Sequence, residues 1–83
     1  MRSEQEIMSE VIAVVGKHAK NQAALQVATR TTHIAKDLEV NSARFVDIIL
    51  DFEDKFNLEI NDEDADKIGT IGDACDLVGR LLN

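Results

Sequence analysis

Apolar residues recur along this chain at helical spacing in three places. Ile7, Val11, Val14 and His18 fall on one face near the N-terminus, and Met8 and Val15 widen it. The spacing predicts an amphipathic helix that stops near residues 18–20, weakened at its end by Gly16. Ser3 followed by Glu6 predicts its start, because a hydroxyl and a carboxylate three residues apart can each satisfy a free backbone N–H. Phe45, Ile48, Ile49, Phe52 and Phe56 repeat the pattern, with Val46 and Leu50 broadening the stripe and Asp47, Asp51 and Asp54 on another side. This predicts a second helix from about Ser42 to Phe56, central because its apolar stripe is wide. Ile71, Cys75, Val78 and Leu82, supported by Ala74 and Leu81, predict a last helix capped by Thr70 with Asp73 at the capping-box position. Between them "NDEDADKI", residues 61–68, fits one or two turns of helix: acids crowd its start, Ala65 and Ile68 face inward, and Gly69 ends it.

Residues 20–41, "KNQAALQVATRTTHIAKDLEVN", break the periodicity. "TRTTH" reads as irregular, Ala23, Ala24, Leu25 and Val27 could make a turn of helix, and Ile34 and Leu38 look like pegs that pin a long loop to the core. A connection this long in a small domain points to function or to a fold built around one.

Composition agrees with helices. Of 83 residues 45% are hydrophobic, but the only aromatics are three Phe, and there is no Pro, Trp or Tyr. A single domain over residues 1–83 with a modest core follows. The net charge of −7 is uneven: residues 1–36 hold five basic and three acidic residues, and residues 37–83 hold four basic and thirteen acidic ones. Such a surface repels phosphate backbones, argues against nucleic-acid binding and suits basic protein partners. The longest early apolar run, "VIAVV", is too short for a signal peptide, and no stretch approaches the roughly 20 residues that span a bilayer. The expectation is a cytoplasmic monomer with no membrane association.

Few chemistries fit. A nucleophilic serine needs a base and an oxyanion pocket, yet the two histidines, His18 and His33, fall on a helix rim and in the loop, and no Gly-x-Ser-x-Gly occurs. Asp62, Asp64 and Asp66 copy the first ligands of a calcium loop, but Lys67 stands where its Gly belongs and Asp73 where its bidentate Glu belongs. One Cys and two distant His make no zinc site. Cys75, the single cysteine, cannot form an internal disulfide and sits at core spacing.

Ser42 stands apart because of its neighbours. A serine at a helix entrance is ordinarily a cap. The stretch "DLEVNSARFVDIILDFEDKFNLEINDEDADKIGTIGDACDLV", residues 37–78, resembles the acyl carrier protein family without a gap. Asp37-Leu38 holds the family's "DL" position, Ser42 that of its modified serine, "FVDIILDFEDKF" its second helix, and "LEINDEDADKIGTIGDA" the remainder. The long first loop and short third helix are also family traits.

The resemblance implies an all-α four-helix bundle with a short third helix and a long first loop. It implies no enzyme, but a phosphoprotein that holds acyl groups as thioesters on 4′-phosphopantetheine attached to Ser42. A phosphopantetheinyl transferase would supply the missing base and Mg²⁺. Asp47, Glu53 and Asp54 fall where the family meets basic patches of synthases and acyltransferases, with Asn41, Ala43 and Arg44 beside the serine. Phe45, Val46, Ile49, Ala65 and Ile68 would line the space for an acyl chain. The sequence departs from the family pattern at Asn41 in place of Asp, Ala43 in place of Leu, Arg44, and Asn61 in place of Pro. These changes point to a specialised carrier with its own synthase or acyltransferase rather than the housekeeping carrier of fatty acid synthesis, and the resemblance implies partner enzymes of fatty acid, lipid or secondary-metabolite synthesis. The alternatives are an unmodified interaction module with the same fold, and behind it a calcium-binding protein.

Overall fold

The computed structural model describes residues 3–82, so the outermost ends of the expected 1–83 domain lie outside the described residues. Five helical segments follow in order: α1, Glu4–Gly16; α2, Gln22–Gln26; α3, Ser42–Phe56; α4, Asp62–Asp66; and α5, Ile71–Leu82. Among the described residues there is no β-strand, only an isolated antiparallel bridge between His33 and Thr70. The fold is an all-α bundle in which α1 lies against α5 and, less extensively, α3.

The capping box of α1 is present, with Ser3 Oγ accepting from the Glu6 N–H and Glu6 Oε1 from the Ser3 N–H. The helix stops at Gly16, earlier than its periodicity suggests. The backbone then tightens, the Lys17 N–H reaching the Val14 carbonyl and both the His18 and Ala19 N–H groups the Val15 carbonyl. Gly16 serves packing here: a β-carbon at this position would meet Leu25 Cδ2 of α2 at 2.9 Å.

One core joins the elements. Val11, Val14 and Val15 of α1, Ile48 and Phe52 of α3, and Ile71 and Val78 of α5 are buried together. The Phe52 and Phe56 rings are tilted against each other at 6.2 Å. Val46 and Leu50 depart from expectation: they are 56% and 55% exposed, so the buried stripe of α3 is narrower than its apolar pattern. The helix ends on Asn57 in the left-handed region, φ 53°, a conformation Asn tolerates better than most residues.

The connection between α2 and α3 is ordered by main-chain bonds to the start of α5. The Ile34 N–H donates to the Gly69 carbonyl, the Ile71 N–H to that of Thr32 and the Gly72 N–H to that of Arg30. Gly72 permits the approach, since a β-carbon there would lie 2.9 Å from the Arg30 carbonyl oxygen. Ile34 and Leu38 are buried, as the sequence predicts. Gly69 does not end α4 through a left-handed turn, because no glycine has positive φ; Lys67 closes that helix. The Gly69 N–H instead joins that of Thr70 in donating to Asp73 Oδ2, while Thr70 Oγ1 accepts from the Asp73 N–H.

Candidate functional site

The entrance of α3 is capped by Asn41, not by Ser42. Asn41 Oδ1 accepts from the Arg44 N–H at 2.9 Å, and the Asn41 carbonyl takes the first helical bond, from the Phe45 N–H at 2.8 Å. Asn is among the strongest N-cap residues and satisfies one of the donors a helix start leaves open. Ser42 becomes the first helical residue. It is exposed, and its hydroxyl has no hydrogen-bond partner among the described residues. The ordinary structural duty of a serine in this place therefore falls on its neighbour.

The cap uses the Arg44 N–H and the first turn uses that of Phe45, so the N–H groups of Ser42 and Ala43 remain open. Open donors at the positive end of a fifteen-residue helix suit a phosphate ester on the Ser42 oxygen. Among the described residues neither histidine is hydrogen-bonded to the hydroxyl. His18 is hydrogen-bonded to Asp51, Nε2 to Oδ2 at 2.7 Å, and His33 lies at the bridge to Thr70. The arrangement presents a hydroxyl to chemistry brought from outside.

The outward face of α3 runs on from this point. Asp47 and Asp54 are exposed, and at helical spacing they share a face with Val46 and Leu50. Glu53 is half-buried, and its Oε2 accepts from the Ile60 N–H at 2.8 Å, closing the turn after α3. Ala43 and Arg44 are exposed beside Ser42. Of the residues expected to line a space for an acyl chain, Ile49 and Ile68 are buried, and Phe45 and Ala65 pack half-buried against the core. Val46 lies outside them. Leu50 was hidden in the sequence as one more core residue; the signal for it is its i, i+4 spacing from Val46 among acids.

Asp62, Asp64 and Asp66 all lie within α4. Alternate positions of a helix point to different sides, so the three carboxylates do not converge as a calcium loop requires. Among the described residues no group of three or more His, Cys, Asp or Glu could hold a metal ion. Asp64 is engaged by Arg80 at 3.3 Å. Cys75 is buried, and burial pushes its thiol pKa up, away from the reactive thiolate. No described helix is long and apolar enough to cross a membrane.

Comparison with known proteins agrees with this geometry. The family described as the phosphopantetheine attachment site matches residues 6–78. The acyl carrier protein of Thermotoga maritima is 30% identical over 82 residues, 99% of each chain. That of Lactobacillus johnsonii is 36% identical over 55 residues, 66% of this chain and 69% of its own. The solved structure of the acyl carrier protein from Enterococcus faecalis superposes with a TM-score of 0.78 at 30% identity, covering 96% of this chain and 99% of its own. The chain belongs to the acyl carrier protein family, carriers rather than enzymes, whose prosthetic group is phosphopantetheine.

Proposed function

We propose that Ser42 is the attachment residue and that this carrier presents acyl intermediates to enzymes of fatty acid, lipid or secondary-metabolite synthesis. One observation carries the assignment: an exposed hydroxyl at the first position of α3, relieved of capping by Asn41 and flanked by two open N–H groups. The Ser42 Oγ attacks the pantetheine-linked phosphorus of coenzyme A, its proton passes to a base of the transferase, and adenosine 3′,5′-bisphosphate leaves. The open Ser42 and Ala43 N–H groups would stabilise the charge of the resulting phosphodiester. When bound, the prosthetic group supplies a thiol that holds the acyl group as a thioester.

The rest of α3 serves recognition. Asp47 and Asp54 offer negative charge to basic patches of partner enzymes, with Val46 and Leu50 as a small apolar contact among them. Charge of this kind speeds encounter and leaves binding releasable. Glu53 shapes the end of this face through its bond to Ile60. Phe45, Ile49, Ala65 and Ile68 border the α3–α4 side on which an acyl chain would shelter. Asn41 and Arg44 make the surroundings of Ser42 less negative than the family's Asp would, which favours a transferase that does not rely on that carboxylate.

Incubation with coenzyme A, Mg²⁺ and a panel of transferases tests the assignment. Intact mass rises by about 340 Da for the unaltered chain and stays constant for Ser42→Ala. A gain that survives this substitution moves the attachment elsewhere.

A further inference from the structure

Among the described residues, two arginines of this acidic chain are held in ion pairs, whereas the cations near Ser42 are not. Arg30 pairs with Asp76 at 2.8 Å and Arg80 with Asp64 at 3.3 Å. Lys17, Lys20 and Arg44 make no ion pair among the described residues, yet they line one recess of about 250 Å³ between the end of α1 and the start of α3. Glu39 is the one carboxylate in its lining and neutralises one of the three charges at most. Among the lining residues three cations thus face one carboxylate, in a chain whose net charge is −7.

Part of the wall is held by hydrogen bonds. Asn41, also in the lining, is held by its cap bond to Arg44. His18 is held by Asp51, and its Nδ1 is buried without a hydrogen-bond partner among the described residues. The segment leaving α1 is tied to the approach to Ser42 by the Asn21 N–H, which donates to the Leu38 carbonyl at 3.1 Å, and by Asn21 Nδ2, which donates to the Asp37 carbonyl at 3.3 Å. The recess begins at the residue that precedes Ser42.

We infer that this recess is a binding site for a phosphate ester, with Lys17, Lys20 and Arg44 as its cationic ligands. Ammonium and guanidinium groups that line one recess without a carboxylate for each are matched by a compact multiply charged oxyanion, and charge-assisted bonds to phosphate are among the stronger ones available at a surface. Two sources bring that chemistry to this place: the phosphates of incoming coenzyme A, and the phosphodiester on Ser42 once formed. The second source rests on the assignment of Ser42; the first does not. Binding in the recess would draw the cofactor toward its acceptor before transfer and hold the base of the arm against the α1–α3 junction afterwards.

Two NMR arms test the site and separate the sources. Apo protein labelled with ¹⁵N is titrated with adenosine 3′,5′-bisphosphate at constant ionic strength. Holo protein is compared with apo, and its ³¹P resonance is recorded. The expected result is saturable movement of the amides of residues 17–20, 39–41 and 44 in at least one arm. A triple Lys17→Gln, Lys20→Gln, Arg44→Gln variant weakens bisphosphate binding by about tenfold or more and shifts the ³¹P line where the diester is the source. Movement in the apo arm names the free cofactor as a source; movement in the holo arm names the diester. The inference is overturned if these residues respond in neither arm beyond a sodium chloride control. It is equally overturned if a glutamate-rich peptide of matched charge binds them as tightly as the bisphosphate, which would give the recess to a partner protein's carboxylates. Should the triple variant not fold, the wild-type arms decide alone. Failure of Ser42 to accept any prosthetic group shows in the mass assay and leaves the bisphosphate titration valid.

Discussion

His18, just past the end of α1, and Asp51, in the middle of α3, meet at 2.7 Å from Nε2 to Oδ2. A carboxylate only accepts, so the bond places a proton on Nε2 of the imidazole. The pair ties the helix that carries Ser42 to the segment that carries Lys17 and Lys20. His18 is 12% exposed and Asp51 41%, so water weakens the link without removing it. A double-mutant cycle with His18→Ala and Asp51→Ala, followed by urea denaturation, should return a coupling of about 1 kcal/mol. Additive single effects would show that the bond contributes nothing.

The long connection is predicted to be part of the core rather than a mobile strap. Leu38 is fully buried within it. Leu38→Ala should cost about 2–5 kcal/mol, the range for a cavity in a packed interior. Hydrogen exchange should show the Ile34 and Ile71 N–H groups protected, since both donate across the pairing of the connection with the start of α5. Rapid exchange at both, with a negligible cost for Leu38→Ala, would contradict this packing.

Acid should loosen the start of α5. The N–H groups of Gly69 and Thr70, reinforced by the Thr70 side chain, hold the Asp73 carboxyl below its ordinary value of 3.8. A carboxyl with a depressed folded-state pKa adds stability that is whole above its unfolded value. That stability is lost as pH falls from 3.8 through the lower folded value. In thermal melts below pH 4 the unaltered chain should lose stability more steeply than Asp73→Asn. Parallel profiles would remove Asp73 as the cause.

Val46 and Leu50 are predicted to matter for docking and little for folding. Substituting both by Ser should change stability by no more than about 0.5 kcal/mol each, as expected for exposed positions. The same change should slow acyl transfer by a partner enzyme. A large loss of stability would place these side chains in the core after all.

The sequence placed α3 correctly because five apolar positions, Phe45 to Phe56, repeat at helical spacing, whereas its caps, Asn41 and the left-handed Asn57, became visible only in the structure. The box at Ser3 and Glu6 and the one at Thr70 and Asp73 were equally legible, being local hydrogen-bond patterns. The exposure of Val46 and Leu50 was not, because periodicity records which residues are apolar and not how much of a helix its neighbours cover. Gly16 marked the weak end of α1 in the sequence, but its close packing against Leu25, nine positions away, became visible only in the fold. Ser42 was visible as a candidate site through the resemblance of its surroundings to a known motif, whereas its release from capping became visible only with the Asn41 bond to Arg44. The gathering of Lys17, Lys20 and Arg44 had no sequence signal, since the fold alone brings the end of α1 to the start of α3.

The central claim is that Ser42 bears the prosthetic group in the working protein. Peptide-resolved mass spectrometry of the chain isolated from its own host, without added transferase, measures this directly. The account predicts a peptide containing Ser42 heavier by about 340 Da, or by that amount plus an acyl group, with the added mass confined to this residue. Unmodified Ser42 throughout, in cells where the carrier's pathway is active, would contradict it.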